Sequence, residues 1–217
     1  MTTWRRVLAV LVVGALGLAV GCSDDDDNDD NEDAGAPYIY LYPETAQEIK
    51  VTLEPADGCE IRKTVPDYGG GWTVWVEPSG RIDGMYDFLY YTAGVHQDFQ
   101  LDHGWAVPAE RIFPWFEETL PSLGLTGKET GDFVAYWGAH LPYAPCYRVY
   151  PQDNVYVDRQ IGLSVEPPPD SVLRLWLVVI GEEECPVIES PLPTGFEREG
   201  FVVVEWGVVL RESSFVW

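Results

Sequence analysis

His96, Asp98, Asp102 and His103 crowd one short polar stretch of the chain, and a third histidine, His140, stands apart. Two imidazoles and a carboxylate form a donor set that can hold zinc. The His-Glu-x-x-His helix that would fix such a site is absent. A solvated polar loop is therefore the default reading, and no metal or cofactor is expected. Nucleophilic or phosphate chemistry has no better footing. The chain lacks a Gly-x-Ser-x-Gly elbow, a P-loop and a dinucleotide fingerprint, and Gly69-Gly70-Gly71 reads as a turn. Carboxylates are abundant, which leaves a glycosidase-like pair open but supplies no geometry for one. No catalytic residue is assigned, and a non-enzyme is favoured. The charged residues with the most specific context are Arg174 and Glu205. Each interrupts a long apolar run, Val172 to Ile180 and Phe201 to Leu210. Period-two alternation puts Arg174 with Val172, Trp176 and Val178, and Glu205 with Phe201 and Val203. A lone charge among such neighbours is costly unless paired. The expectation is that the two strands are neighbours and that Arg174 and Glu205 form a polar pair, since a guanidinium can hold a carboxylate through two bonds.

The other reactive group is a thiol. Arg5 and Arg6 precede an apolar run from Val7 to Val20, which ends in small residues and Cys22. That is the three-part layout of a secretory signal, too short to span a bilayer comfortably, which takes roughly 20 residues. Ala19-Val20-Gly21-Cys22 resembles a bacterial lipobox, with Leu18 one place ahead of the usual large aliphatic position. The resemblance implies cleavage before Cys22 and lipidation of its thiol, with several acyl chains giving a stable anchor. Ser23, rather than Asp, follows the cysteine, which favours outer-membrane delivery by analogy with sorting rules in some Gram-negative bacteria. Residues 1–21 are thus expected to be a signal peptide, and the membrane a partner through the anchor. Of the remaining Cys59, Cys146 and Cys185, none shows the close spacing of a zinc or redox motif. In an oxidising compartment one pair can close while one thiol remains. All three pairings stay open, with the polar, turn-like surroundings of Cys59 and Cys185 favouring that bridge.

The 217 residues carry 36 Asp and Glu against 13 Lys and Arg, a formal charge of −23. Nucleic acid is excluded as a partner, because phosphate binding needs clustered basic side chains. Asp24, Asp25, Asp26, Asp27, Asp29, Asp30, Glu32 and Asp33 form a block that repels itself. Residues 22–36 are accordingly read as a disordered acidic tether, without the spacing of an EF-hand. Residues 37–217 are read as one globular domain.

The elements that would position these residues come in the order strands, helices, strands. Tyr38–Tyr42, Glu48–Glu54, Trp72–Glu77 and Asp87–Thr92 have strand character. Phe113–Leu123 reads as a helix closed by Gly124, and Thr126-Gly127-Lys128-Glu129 as a capping box opening a second, with Phe133 and Trp137 on its apolar side and Pro142 beyond its end. Cys146–Tyr150, Val155–Val157, Ile161–Val165, Val172–Ile180 and Phe201–Leu210 are read as strands. The expected fold class is α+β, a mostly antiparallel β-sheet or sandwich with a two-helix insertion in the middle.

Aromatic side chains are frequent, and Tyr38, Tyr40 and Tyr42 share one strand face. Exposed, such a stripe is a platform for sugar rings; buried, it is core. Tyr40-Leu41-Tyr42-Pro43-Glu44, Pro66-Asp67-Tyr68 with Gly71-Trp72, and Tyr86-Asp87-Phe88-Leu89-Tyr90 come in order. Tyr136-Trp137, Arg198-Glu199-Gly200-Phe201 and Val204-Glu205-Trp206-Gly207 follow. Together they resemble a family of uncharacterised bacterial secreted and surface proteins. That resemblance carries no activity. The tryptophan–glutamate pair usual after the Tyr86 segment is Tyr91-Thr92 here, so no role is carried over from that glutamate. The leading expectation is a lipid-anchored protein of the bacterial cell envelope whose domain binds envelope polysaccharide, cell-wall material or protein. The alternatives are an envelope-acting hydrolase and a purely structural envelope protein.

Overall fold

The computed structural model describes residues 32–96, 98–191 and 195–211. The expected signal peptide, Cys22 and most of the acidic run lie outside the described residues. The chain builds a mixed α and β fold: a seven-stranded sheet, a three-stranded sheet and three α-helices. The large sheet has the order β3 (Glu60–Val65), β5 (Leu89–Val95), β1 (Glu32–Tyr42), β10 (Val202–Arg211), β9 (Ser171–Glu182), β7 (Cys146–Gln152) and β6 (Trp105–Pro108). Every ladder in it is antiparallel except the parallel β9–β10 pair. The small sheet is β4 (Trp72–Val76), β2 (Gln47–Pro55) and β8 (Ile161–Glu166), antiparallel throughout.

Two cores lie on the two faces of the large sheet. On one, Ile39, Leu41, Trp176 and Val203 meet Val51 and Trp72 of the small sheet. On the other, Trp206, Val204 and Leu177 meet Ile112 and Phe116 of α1 (Ile112–Thr119) and Phe133 of α2 (Gly127–His140). This explains the apolar runs of β9 and β10. A strand covered on both faces has no solvent side, so alternation disappears. Packing around Gly207 is tight, since a Cβ there would lie 3.1 Å from the Trp176 ring and 3.2 Å from Pro37 Cγ on the flanking strands.

Three expectations need correction. First, β1 begins at Glu32 and pairs with Val95 and Val209 partners ahead of Pro37, so residues 32–36 belong to the sheet rather than to the tether. The small residues Ala34 and Gly35 carry a register shift there, and Gly35 lets the Trp137 ring approach the strand. Second, Val155–Val157 is not a strand but the middle of a third helix, α3 (Asn154–Gln160). Asp153 caps it, its carboxylate accepting from the Val155 and Tyr156 N–H groups, and Arg159 sits in the last turn. Third, the disulfide joins Cys146 to Cys185, with Cα atoms 5.3 Å apart, and Cys59 keeps its thiol. The β7–β9 register decides this: Cys146 pairs with Glu182, which leaves Cys185 a short turn away.

The helices begin and end on identifiable signals. Thr126 and Glu129 form the reciprocal capping box of α2. A short 3-10 turn, Leu120–Leu123, follows α1 and closes at Gly124, whose φ of 107° suits glycine. Among the described residues no helix is long and apolar enough to cross a membrane.

Candidate functional site

Arg174 and Glu205 stand opposite one another on β9 and β10. Their side chains meet on the face toward the small sheet, with Arg174 Nε donating to Glu205 Oε2 at 2.6 Å. The other carboxylate oxygen accepts from Tyr91 Oη at 2.6 Å and Trp176 Nε1 at 2.9 Å. Arg174 Nη1 donates to the Ile161 carbonyl at 2.6 Å and to Asp158. Burial works against the guanidinium charge, but Glu205, Tyr91 and Asp158 more than offset it and hold the arginine protonated. Arg174 is 1% exposed and Glu205 0%, so no solute reaches the pair. The cluster ties β5, α3, β8, β9 and β10 together; it is framework.

A second buried carboxylate has the same character. Glu129 of α2 is held by Arg198 of the β9–β10 crossover, which also donates to the Gly124 carbonyl. Tyr40 Oη donates to Asp132 at 3.0 Å and accepts from Trp206 Nε1 at 3.3 Å. Tyr40 is fully buried, and Tyr38 and Tyr42 are half-buried beside α2, so this stripe presents no open platform. Burial pushes Tyr38 up to about 12, with Tyr136 and Tyr90 adding to it, and drives Tyr40 and Tyr42 higher still.

The polar stretch of histidines is split. His96 donates through Nε2 to the Asp57 carbonyl at 2.6 Å. His140 ends α2, stacked on Tyr136 with ring centres 4.1 Å apart. Among the described residues no three His, Cys, Asp or Glu side chains converge as a metal site would need.

Asp102 and His103, by contrast, line a half-open recess of about 370 Å³. It lies where β7 ends and α3 begins. Two glutamines build its frame. Gln152 accepts from Gln100 N at 2.9 Å and donates to Gln100 O at 3.0 Å. Gln100 donates to the Pro151 carbonyl at 2.7 Å and to the His103 carbonyl at 2.9 Å, and accepts from the Asp102 and His103 N–H groups. The loop is thus fastened to the strand end by amides with little hydrogen-bonding capacity left over. Asn154 completes the wall. Once β7 has ended, it continues the ladder with its side chain, accepting from Arg174 N at 2.7 Å and donating to Val172 O at 3.2 Å. The recess therefore shares Arg174 with the buried cluster. Its apolar lining is Leu123, Leu173 and Leu175, and Tyr156 supplies a half-buried ring with the Arg159 guanidinium 5.5 Å from its centre. Exposed Asp102, His103 and Asp153 remain at the rim. A floor of leucines, one ring and a rim of acceptors suit a polar, uncharged or cationic small molecule. No pattern in the sequence joined Gln100, Gln152, Asn154 and Tyr156. The Asp153 cap was the one local signal, and it marks the helix rather than the recess.

No protein-family model, no curated protein and no solved structure matches the chain.

Proposed function

We propose that the protein is a bacterial envelope lipoprotein, held to the membrane by lipid on Cys22 and delivered to the outer membrane, whose domain binds neutral sugar of the envelope without catalysis. We also read α1 and α2 as an insertion between the two strands of an antiparallel hairpin, β6 and β7, and the domain as kin to the uncharacterised surface proteins its motifs resemble. The observation that carries the binding reading is the recess between Asp102 and Tyr156, built from amides that are already satisfied, with the exposed Asp102 carboxylate at its rim. Sugar hydroxyls donate to carboxylates, while the apolar C–H face of the ring packs on leucine and tyrosine. The acidic rim disfavours phosphorylated or otherwise anionic material.

A purely structural role is favoured by one observation, the packing of buried Tyr40 and half-buried Tyr38 and Tyr42 into the core beside α2. Two experiments decide. Cys22→Ala is expected to move the protein out of the membrane fraction, with labelled palmitate incorporated by the wild type alone; a wild type that stays soluble and unlabelled removes the anchor. The full chain in detergent micelles is expected to sediment with isolated cell wall, and Tyr156→Ala to reduce that retention roughly tenfold. Equal retention of the two, or none, favours the structural role.

A further inference from the structure

We infer that a slot beneath the strap of residues 185–190 is a second subsite, and that the ligand is an extended neutral oligosaccharide rather than a single sugar; this rests on the binding reading of the first recess. The slot holds about 340 Å³. It lies between β6, the edge strand of the large sheet, and the strap, which is pinned at both ends. Cys185 is bonded to Cys146 at one end, and the Glu189 carbonyl accepts from Gly104 N at 2.9 Å at the other. The strap covers the sheet edge, as loops over edge strands do, and space remains between it and Trp105–Pro108.

What lines that space is chosen for flat, uncharged rings. Trp105 and Trp115 are both half-buried, with ring centres 5.1 Å apart and planes inclined at 59°. Exposed Pro186 and Val187 stand at its outer margin. Arg111 is already paired with Glu118 at 3.1 Å. Indole faces stack on the C–H faces of sugars, and both of these, in contact with each other as a tilted pair, line the slot. The slot neighbours the first recess along the chain: His103 and Pro191 line one, Trp105 and Ser190 the other. Between them the exposed charge is acidic, with Glu189 beside His103. Each space is at the low end of the roughly 300–1,000 Å³ typical of small-ligand sites, and one alone would hold only part of an oligomer.

The test uses the full chain in detergent micelles and β-1,4-linked N-acetylglucosamine oligomers, from disaccharide to hexasaccharide, as probes. The affinity of the wild type should rise with oligomer length. Trp115→Ala should lose roughly tenfold on the hexasaccharide and nothing on the disaccharide, and Trp115→Phe should restore most of the loss. If both variants bind every length as the wild type does, the second subsite is wrong and the first recess stands. If Trp115→Phe, folded, loses the disaccharide as well, the two spaces are not separate subsites. If the wild type binds no oligomer, both readings fall. A proline-rich peptide that shields the Trp115 fluorescence where the hexasaccharide does not would also overturn the inference.

Discussion

Glu205 is the acceptor on which three donors from two strands converge, and its loss would strand a buried guanidinium. Removing one partner of such a pair costs about 3–5 kcal/mol, because the other charge remains buried and uncompensated. Arg174→Met and Glu205→Leu should each lower stability by that amount. The double variant should cost much less than the sum of the singles, as measured by denaturant titration of all four proteins. Strict additivity would mean the pair does not interact. Two lone charges in two apolar runs made this pair legible in the sequence, since alternation assigns their faces and burial cost demands a partner. Alternation also placed Trp176 on Arg174's face, but the partners Tyr91 and Asp158 were not legible, because they arrive from another strand and a helix whose register the sequence does not state. The disulfide failed for the same reason: polar surroundings said where a bridge could be tolerated, while the β7–β9 ladder said which thiols meet.

Helix α3 shows what local patterning hides. Val155 and Val157 have strand character, but a capping aspartate and packing of Val157 into the core outweigh the modest helix penalty of β-branched residues. The capping box of α2 was readable because its signal is local and reciprocal. Asn154, at the start of α3, does more than begin a helix. It stands in for the next residue of β7 by pairing with β9. Asn154→Ala leaves Arg174 N–H and Val172 C=O without that partner, an expected cost of about 1–3 kcal/mol in urea unfolding. A loss below a few tenths would show that water replaces the amide. Early start of β1 at Glu32 has a similar lesson. Acidic composition argued for tether, yet the neighbouring strands β5 and β10 extend far enough to pair with it.

Across the whole fold, five tyrosines packed in the layers make stability sensitive to base. Burial, reinforced by neighbouring phenols or carboxylates, raises Tyr38 and Tyr136 to about 12, and Tyr40, Tyr42 and Tyr91 further. The folded state favours the neutral phenol. That contribution is fully present below the ordinary tyrosine value near 10 and disappears as pH rises through about 12. The guanidinium midpoint should therefore fall between about pH 9 and about pH 11.5, and an unchanged midpoint would contradict this packing. The layered arrangement also sets what faces outward. Two cores fill both faces of the large sheet, and the recess and the slot lie at its β6–β7 edge and strand ends, where we propose that a guest binds. Hydrogen–deuterium exchange of the full chain in micelles, with and without the N-acetylglucosamine hexasaccharide, tests that placement most directly. The account predicts slowed exchange confined to residues 98–106, 151–157 and 185–190. Unchanged exchange there, or protection centred instead on exposed Trp75 of the small sheet, would contradict it.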